Sequence, residues 1–197
     1  ADEEDQEDAS AGRQMRVVPF VNDTKNALVM RFEPVRSLPE MASLQAAFKE
    51  AILKHFQLEP RELTSEPLPS PGERNEILFY ESSEGGAGVL RQLAEDPMVI
   101  PAIARRALAV CHFDPETLED LKADACGKAC YECLLDYFNQ PDHQQLFLAV
   151  TDAEISVLDR VQQQFMQGHH DFFRLGTTHG DFARQKAGFG GGLKTLF

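Results

Sequence analysis

Along the first third of the chain, apolar and polar positions change in short blocks. "RVVPFV" at residues 16–21 and "NALVMRF" at 26–32 are rich in β-branched and apolar side chains and are separated by polar "NDTK", which predicts two short strands. A different period follows. Ser37 stands where its hydroxyl can accept from the N–H of Glu40 while the Glu40 carboxylate reaches back, and Met41, Leu44, Phe48 and Ile52 recur on one face. That pattern predicts an amphipathic helix of about four turns. "EPRELTSEPLPSPGERN", residues 59–75, is dense in proline and charge and predicts an exposed connection.

"EILFYE", residues 76–81, has the character of a buried strand, and "SSEGGAGVLRQLAED" behind it is a glycine loop running into a helix. A strand, glycine loop and helix in that order can cradle a phosphate on the helix N–H groups. There is no G-K-[ST], however, and Gly85, Gly86 and Gly88 miss the G-x-G-x-x-G spacing, so close packing of helix on strand is the preferred reading. "MVIPAIARRALAV", residues 98–110, predicts a helix that delivers Cys111 at its end, and Asp114 followed by Pro115 predicts another over 115–123. "CLLDYFN", residues 133–139, predicts a short apolar helix stopped by "NQPDH". Thr151 and Glu154 box the start of a last helix carrying Ile155, Leu158, Val161 and Phe165.

These elements predict an α+β fold, a small mixed domain with a few strands packed by helices. Composition divides the chain into an acidic disordered linker at 1–14, a domain at 15–150, and a C-terminal helix with a flexible tail at 151–197. No Met stands at position 1, and the chain is expected to be a piece of a longer protein.

The net charge is −13, and six of the first eight residues, "ADEEDQED", are acidic. The body remains acidic without them, and no run of Lys and Arg supplies the basic face that unaided DNA binding needs. The only segment with a cationic excess is the tail from Arg174 to Lys194. With no long apolar run and no signal sequence, neither a membrane partner nor secretion is expected. The expected location is cytoplasmic and reducing, which argues against disulfides.

Against that background "CGKACYECLLDY", residues 126–137, crowds three of the four cysteines together. Cys126, Cys130 and Cys133 follow C-x3-C-x2-C spacing, and Cys111 lies a short way upstream. A tetrahedral metal with bonds of about 2.3 Å needs sulfurs roughly 4 Å apart, which such spacing can provide. Cys111, brought back by the helix expected at 115–123, closes the shell. Gly127 is expected to let the loop turn, and Lys128 to temper the charge of a zinc tetrathiolate. Four protein ligands leave no open position for water, so the site is expected to be structural and the chain not catalytic by itself.

His112 or His143 can replace one sulfur, although ordinary packing is the simpler reading of each. His169 and His170 are adjacent, point apart on a helix and are not taken as ligands. An iron–sulfur cluster competes for the same thiolates. C-x3-C-x2-C is also the spacing of radical S-adenosylmethionine enzymes, but Glu132 stands where they usually carry an aromatic, and too few residues follow Cys133 for their barrel. A four-cysteine cluster of the kind found in some helicases stays open.

Several stretches together, "VNDTKNAL", "SLQAAFKEAI", "FQLEPRELTSEPLP", "LFYESSEGGAGVLRQL", "ALAVCHFD" and "CGKACYECLLDYFNQPDH", resemble the MrfA-type zinc-binding domain, found near the C-terminus of large bacterial DNA helicases. The resemblance spans about residues 17–146. It implies zinc on four cysteines, which map to Cys111, Cys126, Cys130 and Cys133, and no catalytic residue of the domain's own. The family includes mitomycin-repair helicases and the DrmB-like or Druantia-type components of anti-phage defence. The resemblance therefore implies an accessory module beside an ATP-driven DNA helicase motor, in the same polypeptide or a separate subunit, with DNA met only indirectly. Family members commonly continue after "NQPDHQQL" with an Asp-Arg pair, where this chain has Phe147 and Leu148. No Walker motif occurs in the 197 residues. A stand-alone protein-interaction module using the acidic face is the reading from a different class.

Overall fold

The computed structural model describes residues 16–146, apart from 18, 33–35, 84 and 97, together with two strands farther along the chain. Strands β1 (Phe20–Thr24) and β2 (Ala27–Arg31) lead into α1 (Leu38–Phe56). The hairpin β3 (Leu63–Ser70) and β4 (Glu73–Glu81) comes next, then α2 (Val89–Glu95) and α3 (Val99–Val110). Strands β5 (Gly176–Thr177) and β6 (Asp181–Gln185) fall in the stretch expected as a tail. One antiparallel sheet has the order β3-β4-β2-β5, and β1 pairs separately with β6. The fold is α+β, as the sequence pattern implies.

Ser37 caps α1 as its sequence suggests: its hydroxyl accepts from the Glu40 N–H at 3.4 Å, and the Glu40 carboxylate accepts from the Ser37 N–H at 2.7 Å. The helix is longer than four turns because it is not a surface helix with one apolar stripe. Residues 41 to 48 are all buried, between the sheet on one side and α3 on the other. Small residues, Ala42, Ala46, Ala47 and Ala51, let these neighbours approach closely. In the sheet, Leu28 and Met30 of β2 stand opposite Phe79 and Ile77 of β4, and all four face α1 in the core.

Three sequence expectations are corrected here. Residues 63–70, expected within an exposed connection, form β3. This is an edge strand, so Pro67 and Pro69 need not break a ladder on both sides. The helix expected at 115–123 is instead a folded-back turn. The Asp114 carboxylate accepts from the N–H groups of Glu116 and Thr117 at 2.8 Å each, Leu118 has a positive φ of 61°, and Phe113 bridges Asp120. An Asp side chain that captures these donors competes with the helix it was expected to start. Residues 133–139 likewise form turns leading into a 3₁₀ segment, Tyr137–Asp142, that runs through Pro141. The linker at 1–14 and the helix expected after Thr151 lie outside the described residues.

Two buried polar groups tie the layers together. Arg74 of β4 is 2% exposed; it donates to Gln45 of α1 at 3.0 Å and to the Pro71 carbonyl at 3.2 Å, and it pairs with Asp142 at the end of the 3₁₀ segment. Glu81, equally buried, accepts from the amides of Gly88 and Leu90 where the glycine loop enters α2. Among the described residues, no helix is long and apolar enough to cross a membrane.

Candidate metal centre

The centre begins where α3 ends. The His112 N–H returns to the Ala109 carbonyl at 3.1 Å and the Phe113 N–H to the Leu108 carbonyl at 3.0 Å, the paired bonds of a Schellman cap. The position between helix and exit strand, ordinarily glycine, is His112 with φ 66°. Histidine enters this left-handed region more readily than most side chains, and at a cost of about 1 kcal/mol or more. The turn places the His112 Nε2 3.3 Å from Cys130 Sγ.

The folded-back turn then returns the chain to the same place. The Leu121 N–H donates to the His112 carbonyl at 2.8 Å, and the Lys122 carbonyl accepts from the N–H groups of Ala125 and Cys126. Beyond it, the Cys133 and Leu135 N–H groups both bond to the Cys130 carbonyl, closing a tight knuckle. Cys126, Cys133 and Leu134 are buried at the edge of the main core, so the knuckle is anchored by the same apolar packing as the helices.

His112, Cys126, Cys130 and Cys133 thereby bring one ligand atom each within 4.8 Å of one another. The Cys126 and Cys133 sulfurs are 3.8 Å apart, the separation that two thiolates on one tetrahedral zinc require. The donor set fits zinc in number, type and spacing. Cys111, expected as the fourth ligand, is buried at the helix cap and is not in this close group; His112, treated as the less favoured substitute, stands there. Its left-handed backbone has no marker in the sequence. His143 is elsewhere: its Nε2 lies 3.0 Å from the Asp136 carbonyl and 2.9 Å from Asn139 Oδ1. His169 and His170 lie outside the described residues.

The thiols are electrostatically unequal. Burial, reinforced by the neighbouring thiols, pushes Cys126 up to about 12, and burial also raises Cys133. Burial acts upward on Cys130 too, but hydrogen bonds from the His112 ring, a backbone N–H and the two other thiols outweigh it and bring Cys130 down to about 6. One thiolate is therefore ready at neutral pH, and a divalent cation would replace the protons on the others. The cation beside this charge is Lys122, which pairs with Glu132 and feels Cys130 and Cys126. Lys128, expected in that role, is exposed like Lys122, and it forms no ion pair among the described residues. Gly127 is also not demanded by space, since a Cβ there meets nothing within 4 Å.

The glycine loop is already filled from within. The Glu81 carboxylate accepts from the N–H of Gly88 at 3.0 Å and of Leu90 at 3.0 Å, and from Asn26 Nδ2 at 3.1 Å. The first amides of α2 thus hold an internal anion where a phosphate would sit.

Comparison with known proteins adds the family. Residues 44–134 match the family model described as the MrfA Zn-binding domain, a span that includes most of α1, the hairpin β3–β4, α3 and the cluster His112, Cys126, Cys130 and Cys133. No curated protein and no solved structure matches the chain. Over residues 44–134, then, this chain is similar to the MrfA Zn-binding domain, and the His/Cys cluster inside that span could hold a metal ion.

Proposed function

We propose that the domain holds one structural zinc ion on His112 Nε2 and the sulfurs of Cys126, Cys130 and Cys133, and serves as an accessory module of an ATP-dependent DNA helicase or translocase in DNA repair or anti-phage defence. The observation that carries the metal reading is the convergence of these four donor atoms within 4.8 Å. Four protein donors fill a tetrahedral shell, leaving no position for an activated water, so the ion fastens the end of α3 to the knuckle rather than doing chemistry. The motor context draws support from the family match and from the sequence resemblance on which it rests.

Metal analysis of the purified chain tests the ion: one zinc and no iron is expected, and a brown preparation containing iron and sulfide would replace zinc with a cluster. Substitution tests the ligand set. His112→Gly suits the left-handed backbone, so it removes the imidazole without adding strain, and zinc affinity in chelator competition is expected to fall at least tenfold. Cys111→Ala is expected to keep its zinc. The reverse outcome makes Cys111 the fourth ligand. Adding the chain to its motor and finding DNA-stimulated ATP hydrolysis and DNA affinity both unchanged would remove the accessory role while leaving the metal reading intact.

A further inference from the structure

The outer side of the knuckle carries three large rings in solvent. Tyr131 and Tyr137 are each 73% exposed and Phe138 is 57% exposed. They fall in two ring contacts close together in sequence. The Tyr131 ring meets His143 edge-on at 6.0 Å, His143 is hydrogen-bonded to Asp136 and Asn139, and Tyr137 lies T-shaped on Phe138 at 5.5 Å. The same chain buries Phe32, Phe48 and Phe79 completely, so aromatic rings left together outside are a patch of the kind that marks a docking surface.

Charge decides what docks there. A surface that stacks nucleic-acid bases pairs its aromatics with a basic groove. Here the cations near the rings are already engaged: Lys49 with Asp136, and Lys122 with Glu132. The stretch from Asp114 to Asp142 has eight Asp and Glu residues against Lys122 and Lys128, and although Lys49, Arg74 and Arg105 from other elements pair with Asp136, Asp142 and Glu116, the acids still outnumber the cations. A phosphate backbone is repelled, and a cation is drawn in. Among cations, the planar guanidinium both lies flat on an aromatic ring and forks onto a carboxylate, which an ammonium does less well. Lys49, with its Nζ 5.7 Å from the Phe138 ring centroid, shows that these rings already accept a cation from within the chain.

We propose that Tyr131, Tyr137 and Phe138, with the carboxylates around them, form a docking shelf for an arginine-bearing segment of a partner protein. The shelf goes beyond the metal reading and does not depend on which protein the domain serves.

The test uses the zinc-loaded full chain and three labelled probes: a dodecapeptide of alternating Arg and Gly, its Lys and Gly counterpart, and an oligonucleotide of twelve thymidines, each titrated by fluorescence anisotropy at physiological salt. The arginine peptide is expected to bind about fivefold more tightly than the lysine peptide. Tyr137→Ser and Phe138→Ser are each expected to weaken it about threefold or more while zinc content and melting temperature hold, since both side chains are largely in solvent. Equal binding of the two peptides, or variants that bind like the parent, would reduce the effect to net charge and overturn the shelf. Tighter binding of the oligonucleotide would make it a nucleic-acid surface instead. Self-association of the parent that the two Ser variants abolish would assign the rings to a second copy of this chain.

Discussion

The carboxylate of Glu81 occupies the space that a side chain on Gly86 would need: a Cβ built on Gly86 falls 1.5 Å from Glu81 Oε2. The glycine therefore serves a buried acid rather than a nucleotide. Glu81 is drawn in by three donors, and the loop must pass so close that position 86 carries no side chain and takes φ 53°.

This predicts a difference between neighbouring glycines. Gly86→Ala meets both backbone strain and the displaced carboxylate, and is expected to cost about 3 kcal/mol or more. Gly85→Ala, at φ 78° but with nothing within 4 Å of its Cβ, is expected to cost only about 1 kcal/mol of backbone strain. Denaturant melts of the two variants side by side measure it, and equal losses would mean that the close approach of Glu81 is unimportant.

Arg74 and Asp142 give a second expectation. Asp142→Asn leaves a cation that is 2% exposed without a charged partner, with only neutral oxygens to accept from it, and a loss of about 3 kcal/mol is expected. Arg74→Met removes the buried charge as well, and the double variant Arg74→Met with Asp142→Asn is expected to be little worse than Arg74→Met alone. A double-mutant cycle from urea melts yields the coupling, and strictly additive losses would show that the pair does not hold the 3₁₀ segment to the sheet.

Ser37 with Glu40, the 76–81 strand, the 98–110 helix and the C-x3-C-x2-C knuckle were legible because each is encoded by local spacing. Strand β3 was not, because its prolines are tolerated only through its place at the sheet edge, a tertiary fact. The 115–123 turn was missed because Asp114, an apt helix cap, is used by a turn that the Phe113–Asp120 bridge stabilises from outside. Three of the four residues in the close cluster, Cys126, Cys130 and Cys133, stand at the spacing that the sequence singled out. His112 was weighed only as a substitute, because whether residue 111 or 112 faces the knuckle depends on the positive φ at the helix end.

Zinc uptake is expected to depend on pH in a way set by the unequal thiols. At pH 7 Cys126 and Cys133 still hold their protons while Cys130 has lost its own, so binding releases about two thiol protons per ion. As pH falls through about 6, Cys130 takes up a proton that the metal must also displace, and apparent affinity should drop more steeply. Fewer protons are displaced at higher pH, so affinity rises in that direction. Calorimetry in buffers of different ionisation enthalpy counts the protons; three released at pH 7 would show that the thiols titrate independently, as in an unfolded chain.

Cys130→Ser is expected to act on folding, because structural zinc sites contribute on the order of 10 kcal/mol to folding and this thiol is the one already ionised. Thermal melting and protease resistance should both fall, as they should for the parent in excess chelator. A variant as stable as the parent would detach the metal from the architecture.

For DNA, the expectation follows from charge: at −13 overall, the chain alone should bind duplex or single strands no more tightly than weak non-specific contacts at physiological salt. Filter binding across a salt series checks this, and tight, salt-resistant binding would make the chain a DNA reader in its own right.

Under the proposed ligand set, the left-handed residue at the end of α3 also bears on the formal charge of the centre. Cys111 caps α3 and His112, one residue on, takes the left-handed backbone that carries the chain toward the three knuckle sulfurs. With zinc on His112 and the three cysteines, as proposed above, the complex would carry one negative charge fewer than a tetrathiolate, on a surface rich in carboxylates. A single backbone dihedral would then act as a valence selector: trading nitrogen for sulfur at this position would deepen the field that the exposed rings present to whatever approaches.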